Sequence, residues 1–189
     1  MSYSLLYEFK DTDGDGKAEA VISRYNNGDA VNSMPDVVVT AYANTANGKF
    51  DTVTGVDDVE GDGDGDGDGD GDIDEDDESY YALASDLASA LVGLSTVGAG
   101  RLYRCILISF GDNASGSKLG DVNIGLFNVA NSDLTRPDSV VTVTGYDKGM
   151  YKKVSGSTDA DGDGDIDLDD EFIFRKIAVS FASMRDFKI

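Results

Sequence analysis

Alternating apolar and polar residues predict a strand at the start of the chain. Across residues 3–9, every second side chain is large and apolar, from Tyr3 to Phe9. Successive side chains of a strand point to opposite faces of a sheet, so a period of two indicates one buried face. Further strands are predicted at 37–42 and 49–54. The Asn47-Gly48 dipeptide between them is typical of hairpin turns.

Two later segments have the period of a helix instead. Their apolar residues recur three and four positions apart, which places them along one stripe of a helix. The first stripe comprises Tyr80, Leu83, Ala84, Leu87, Leu91 and Leu94, and the second comprises Ile173, Ile177, Phe181 and Met184. Each segment is predicted to be a helix with one buried face, although residues 177–181 also fit a strand.

The second half of the chain repeats the order of the first. Ile106, Ile108 and Phe110 follow Leu5, Tyr7 and Phe9 by 101 residues, and Pro137-Asp138 follows Pro35-Asp36 by 102. We therefore predict an α+β fold that is a β-rich tandem duplication. Each unit has about four antiparallel strands and an acidic loop that leads into one helix. The predicted units are 1–98 and 99–189, either merged into one compact body or packed as separate domains.

A twelve-residue acidic segment precedes each predicted helix. Residues 66–77 read DGDGDGDIDEDD, and residues 159–170 read DADGDGDIDLDD. Both have carboxylates at positions one, three, five, nine and twelve, glycine at six and isoleucine at eight. Calcium takes six to eight oxygen ligands, and a loop supplies them when alternate side chains point inward and a glycine allows a sharp turn.

This spacing predicts equivalent ligands in the two segments. Position seven contributes its backbone carbonyl, and Ile166 and Ile73 are expected to point away from the ion into the core. The alternative is a solvated, flexible linker, and the Asp-Gly repeat around 66–77 would allow more than one register. The predicted ligands are Asp159, Asp161, Asp163, Asp165, Asp167 and Asp170 in one loop, and Asp66, Asp68, Asp70, Asp72, Asp74 and Asp77 in the other.

The two segments resemble the calcium loops of dockerin modules, which belong to the EF-hand type. Asp170 and Asp77 end the loops where the usual EF-hand has a bidentate glutamate, and a predicted helix follows directly. The resemblance implies Ca²⁺ binding and a calcium-dependent contact with a protein partner. It covers the loop and about one helix in each copy. Dockerin loops lie close together, whereas these are 93 residues apart.

A third acidic turn follows the first strand. Residues 11–16 read DTDGDG, and the candidate ligands are Asp11, Asp13, Asp15, the Lys17 carbonyl and Glu19. This DxDGDG turn is similar to the metal turns of FG-GAP and VCBS repeat proteins, but one copy does not imply a propeller. The alternative is a polar hairpin turn without metal. We thus expect two calcium sites, and a third if this turn binds metal.

Charge and composition narrow the range of partners. Of 189 residues, 37 are acidic and 15 basic, which gives a net charge of −22 and argues against nucleic acid and anionic membranes. A salt-adapted surface would also be acidic.

The hydrophobic content of 40% is sufficient for an ordinary core. No apolar run approaches twenty residues, so we expect no membrane insertion, and the start of the chain does not resemble a signal peptide.

The chain offers few groups for catalysis. It has no histidine and one cysteine, Cys105, which lies in an apolar run and is expected to be a buried strand residue. The sequence lacks the usual nucleophile and phosphate-binding motifs. Tyr80 and Tyr81 could form a sugar platform, but core packing is the favoured interpretation. We therefore expect no enzymatic activity.

These observations favour a non-enzymatic structural or assembly subunit of an extracellular or surface fibre or particle, rigidified by Ca²⁺ and self-associating as a homopolymer. In that hypothesis, residues 3–9 add to the sheet of a neighbouring subunit; otherwise they form an edge strand of their own sheet. The first alternative is a dockerin-like module that binds a protein partner. The second is a calcium buffer or sensor.

Overall fold

The computed structural model describes residues 3–26, 29–43, 49–54, 75–95, 103–111, 120–146 and 150–184. Within these ranges the chain is a mixture of strands and helices, which confirms the mixed α+β class. The elements are β1 (Tyr3–Lys10), β2 (Glu19–Asn26), β3 (Val37–Ala43), β4 (Phe50–Thr54), α1 (Glu75–Ser95), β5 (Tyr103–Phe110), β6 (Val122–Asn128), β7 (Ser139–Tyr146), β8 (Met150–Ser155) and α2 (Leu168–Ser183).

The described strands form an eight-stranded antiparallel sheet in the order β4-β3-β2-β1-β5-β6-β7-β8. Strands from both halves of the chain meet at its centre, where Leu5 of β1 lies opposite Ile108 of β5. The expectation that residues 3–9 are an edge strand, or are donated to a neighbour, is wrong, because β1 pairs with β2 on one side and β5 on the other. Alternation marks a strand but does not specify its place in the sheet.

Helices α1 and α2 pack on one face of the sheet and close the main core. Leu87, Leu91, Ile177 and Phe181 are fully buried there, so the predicted stripes are confirmed and residues 177–181 are helical. The hydroxyl of Tyr3 donates to the Phe181 carbonyl across this core. Neither helix of the described chain has the length and apolar character needed to cross a membrane.

A smaller apolar cluster lies on the opposite face of the sheet. Leu6, Tyr25, Cys105 and Phe127 are buried together, and partly buried side chains from β5 and from two loops pack against them. Desolvation by this burial raises the pKa of the Cys105 thiol. The prediction that Cys105 is a buried strand residue is confirmed.

The two halves of the sheet repeat one turn contact. The Asn26 backbone N–H donates to Asp36 Oδ2 at 2.8 Å, and the Asn128 N–H donates to Asp138 Oδ2 at 2.7 Å. Each pair closes the connection between the second and third strands of its half. The division into units 1–98 and 99–189 stays a prediction, since residues 96–102 lie outside the described ranges.

Helix α1 caps the edge strand β4. The Phe50 N–H donates to Ser89 Oγ at 2.9 Å, and the Ser85 hydroxyl donates to the Phe50 carbonyl. Unpaired backbone groups at a sheet edge are available to a strand from another chain. The two serines occupy both groups of Phe50 and thus protect this part of the edge.

Candidate metal centres

The loop between β8 and α2 wraps its backbone around Asp159. Asp159 Oδ1 accepts the Gly162 N–H at 2.6 Å, and Oδ2 accepts the Gly164 N–H at 3.0 Å. Both glycines have positive φ, +81° and +100° respectively, a conformation that side chains disfavour. The glycine spacing of the sequence is therefore what allows the chain to curl around the first aspartate.

Asp170 closes this loop from the first turn of α2. Its side chain is buried, and it accepts hydrogen bonds from the backbone N–H groups of Ala160 and Asp167. The second bond, at 2.7 Å, is half of a capping box, in which the Asp167 side chain accepts the backbone N–H of Asp170 in return. Burial alone would raise the pKa of Asp170, but these hydrogen bonds outweigh it and lower the pKa.

The loop gathers its carboxylates in two overlapping groups. Ligand atoms of Asp159, Asp161 and Asp170 lie within 4.8 Å of one another, as do those of Asp165, Asp167 and Asp170. Two oxygens on one calcium lie at most about 5 Å apart, since each bond is about 2.3 to 2.6 Å. Both groups are therefore compatible with a metal ion.

Asp163 stands outside both groups. Its Oδ1 accepts the Asp165 N–H at 3.1 Å, so this carboxylate supports the loop backbone. The structure thus brings together five of the six aspartates predicted for this loop, and leaves Asp163 in a turn-forming contact.

Mutual repulsion contributes to raised pKa values of two carboxylates in the loop. The charge of Asp163, followed by that of Asp167, raises the pKa of Asp165. At Asp161 the hydrogen bond from the Asp163 N–H lowers the pKa, but desolvation and neighbouring carboxylates together raise it above its ordinary value. A bound cation would relieve this repulsion, because it favours the ionised carboxylates.

The prediction that Ile166 points into the core is wrong. Ile166 is 63% exposed, and it lies near Leu168 and Phe172 in the sequence, which are 72% and 65% exposed. The loop instead packs inward through Ala160, which is 2% exposed and belongs to the main core. We call Ile166, Leu168 and Phe172 the loop-exit patch. The same prediction for Ile73 falls outside the described residues.

The turn between β1 and β2 has the same backbone arrangement. Asp11 Oδ1 accepts the Gly14 N–H at 2.6 Å, and Oδ2 accepts the Gly16 N–H at 3.0 Å. The glycines again have positive φ, +83° and +87°. Asp11 therefore occupies the same position in this turn as Asp159 does in the later loop.

Glu19 supplies the buried carboxylate of this first turn. It is 4% exposed, and its Oε2 accepts both the backbone N–H and the hydroxyl of Thr12. Ligand atoms of Asp11, Asp13, Asp15 and Glu19 lie within 4.8 Å of one another. All four carboxylates predicted for this turn are thus brought together.

Lys17 contacts the cluster through its ammonium group. Asp15 Oδ1 accepts the Lys17 backbone N–H at 2.8 Å, and Asp15 Oδ2 pairs with Lys17 Nζ at 3.2 Å. The backbone hydrogen bond is the main cause that lowers the pKa of Asp15. The predicted role of the Lys17 carbonyl as a ligand stays a prediction.

The loop 66–77 lies almost wholly outside the described residues. This applies to Asp66, Asp68, Asp70, Asp72 and Asp74, and for Asp77 only the helical backbone is described. The helix expected after this loop is present as α1. The six ligand assignments stay predictions.

Comparisons with protein-family models, curated proteins and solved structures find no match to this chain. The interpretation of the acidic clusters therefore depends on their own geometry. Acidic clusters compatible with metal binding are present at the turn between β1 and β2 and at the loop before α2.

Proposed function

We propose that this protein is a calcium-binding, non-enzymatic structural subunit of an extracellular or surface fibre or particle. Copies of the chain associate with one another, and Ca²⁺ makes each copy rigid. The observation that carries the proposal is the buried Asp170 carboxylate, which is held by two backbone N–H groups beside the carboxylates of Asp159 and Asp161.

The donor set favours calcium over other divalent ions. Both described clusters offer only carboxylate oxygens as side-chain ligands, which suits hard cations. Magnesium requires near-ideal octahedral geometry and keeps several waters, whereas calcium accepts a flexible loop of oxygens. Calcium at a hundred times its Kd would stabilise the fold by about 2.7 kcal/mol per site.

Repeated contacts support a tandem duplication as the origin of the fold. The strand order is symmetric about the β1–β5 pair, and the turn contacts of Asn26 and Asn128 match across the two halves. By this proposal, loop 66–77 binds calcium before α1 as loop 159–170 does before α2. The dockerin resemblance of the two loops is part of the same proposal.

The side-chain chemistry supports a role without catalysis. The sequence has no histidine, and its lone thiol, Cys105, is buried in the smaller apolar cluster. Tyr80 and Tyr81 are 4% and 2% exposed, which favours core packing over a sugar platform. The imidazole that most often serves as general acid and base is therefore missing, and the thiol is not exposed.

The loop-exit patch supports a contact with another protein. Ile166, Leu168 and Phe172 are exposed where the acidic loop passes into α2. An ion that orders residues 159–170 would also fix the position of this patch. In the assembly proposal, a second copy of the chain covers it, and removal of calcium weakens the contact.

The same patch favours a second candidate function, a dockerin-like module that binds a different protein in the presence of calcium. The two candidates differ in whether the purified chain assembles alone. A calcium sensor is less well supported, because loop 159–170 is entered from strand β8 and not from a helix. The opening of a helix pair, on which sensors depend, is therefore missing at this loop.

Size-exclusion chromatography with light scattering, in calcium and in chelator, tests the proposal. We expect large assemblies in calcium that dissociate in chelator. The double variant Leu168→Asp/Phe172→Asp should stay monomeric, whereas Met34→Asp, at a residue 89% exposed elsewhere, should assemble normally. A wild-type monomer in calcium would refute self-assembly. If that monomer then forms a calcium-dependent complex with one protein, the second candidate is favoured.

A further inference from the structure

A cleft lies between α1 and α2, beside the start of β4. Its volume is about 490 Å³, within the range of small-molecule sites in proteins. Lys49, Asp86, Lys176 and Ser180 line it together with small residues of α1. Among the residues that the structure describes, no acidic residue of the two clusters at 11–19 and 159–170 lines it.

The cleft concentrates positive charge in an acidic protein. Its described lining residues include two lysines, Lys49 and Lys176, while the whole chain has a net charge of −22. Asp86 lines the same cleft, but none of the ion pairs among the described residues involves Lys176. The ammonium group of Lys176 is therefore available to a ligand.

Small side chains give the cleft its depth. Ser89 and Ala90 of α1 and Ser180 of α2 occupy little of the space between the helices. The Ser89 hydroxyl already accepts the Phe50 N–H, so Ser89 acts as part of the wall. Ser180 stands one helical turn after Lys176 and so lies on the same side of α2. A ligand held by Lys176 would therefore also reach the Ser180 hydroxyl.

We propose that this cleft binds a small organic anion. Its carboxylate or phosphate contacts Lys176, and its hydroxyl groups contact Ser180 and Asp86. A large polyanion would meet the net negative charge of the whole surface, but a small anion is exposed mainly to charges within about 10 Å. The cleft volume and the charge of the chain thus favour a metabolite-sized ligand.

NMR titrations of the calcium-loaded full chain that carries Leu168→Asp and Phe172→Asp, and therefore should stay monomeric, test this inference with three probes. Glucuronate carries a carboxylate, glucose 6-phosphate carries a phosphate, and glucose is the neutral control. We expect saturable shifts of α1 and α2 resonances around the cleft for at least one anion, at least tenfold weaker binding of glucose, and weaker anion binding as salt rises. The stronger anion identifies the preferred group. Failure of both anions to bind there would overturn the proposal.

Two variants test the assigned contacts. Lys176→Met should weaken anion binding about tenfold, whereas Lys153→Met, which removes an exposed lysine from β8, should leave it unchanged. Ser180→Leu should block the cleft without a change in charge. Equal effects of the two lysine variants, or full binding by Ser180→Leu, would show that the anion binds elsewhere. These results are independent of whether the chain assembles.

Discussion

Glu19 and Asp170 make the same hydrogen bond in two different loops. Glu19 accepts the N–H of Thr12, and Asp170 accepts the N–H of Ala160, where Thr12 and Ala160 each follow the first aspartate of their loop. Glu19 belongs to strand β2, whereas Asp170 belongs to helix α2. Each acidic turn is therefore closed by one buried carboxylate of its own. The chain continues as a strand after the first turn and as a helix after the second.

Glu19→Gln is expected to remove one bound calcium ion. The amide oxygen can still accept the hydrogen bonds from Thr12, so the metal-free protein should keep its melting temperature, but the charge that attracts the ion is lost. Calorimetric titration measures the stoichiometry, with Glu8→Gln as the control on β1. An unchanged number of ions would exclude Glu19 from the site.

Asp161→Ala combined with Asp163→Ala should remove the ion of loop 159–170. Asp161 belongs to the carboxylate group around Asp170, and Asp163 supports the loop through the Asp165 N–H. Titration of this double variant should show one ion fewer than the wild type, while Asp29→Ala should show the wild-type number. The same stoichiometry in all three proteins would contradict the ligand assignment.

Asp165→Asn should stabilise the metal-free protein at pH 7. Repulsion from Asp163 raises the folded-state pKa of Asp165, so its ionised form opposes folding above that pKa and has no effect well below the ordinary value of 3.8. The gain in melting temperature should therefore disappear at pH 3.

Asp15→Asn is a control that should change the melting temperature in the opposite direction. The pKa of Asp15 is lowered, mainly by the Lys17 N–H, so its charge contributes stability at pH 7 that is lost as the pH falls through the lowered value. Asp15→Asn should reduce the melting temperature at pH 7. A shift of the same sign for both variants would contradict the electrostatic account of the loops.

The sequence predicted local structure well because local periodicity and spacing determine it. The strand at 3–9, the helices with their buried stripes and the glycines of the acidic turns all depend on nearby residues. The central place of β1 was not predictable in this way. It depends on pairing with β5, about a hundred residues later, and an alternating pattern is the same at an edge and in the centre.

The candidate site was predicted more completely in its ligands than in its packing. Carboxylate spacing identified the clusters, but Ile166 is exposed and Ala160 fills the core position. A single apolar residue in a loop does not show which residue faces inward. The buried role of Glu19 had one signal in the sequence, a carboxylate at position nine followed by a strand instead of a helix.

Ser85→Ala combined with Ser89→Ala should destabilise the protein and expose the β4 edge. The change leaves the N–H and carbonyl of Phe50 without their hydroxyl partners, at a cost of about 1 to 3 kcal/mol. Urea unfolding measures the loss, and light scattering measures aggregation of the monomer in chelator. Ser183→Ala, at the exposed end of α2, is the control. Wild-type stability of the double variant would show that the cap contributes nothing.

The most direct test of the metal centres is a crystal structure of the full chain grown in excess calcium, with anomalous scattering used to locate the ions. We predict one ion bonded to Asp159, Asp161 and Asp170 and another bonded to Asp11, Asp13 and Glu19, with oxygen distances of about 2.3 to 2.6 Å. Clear density for both turns without an ion in either would contradict the account.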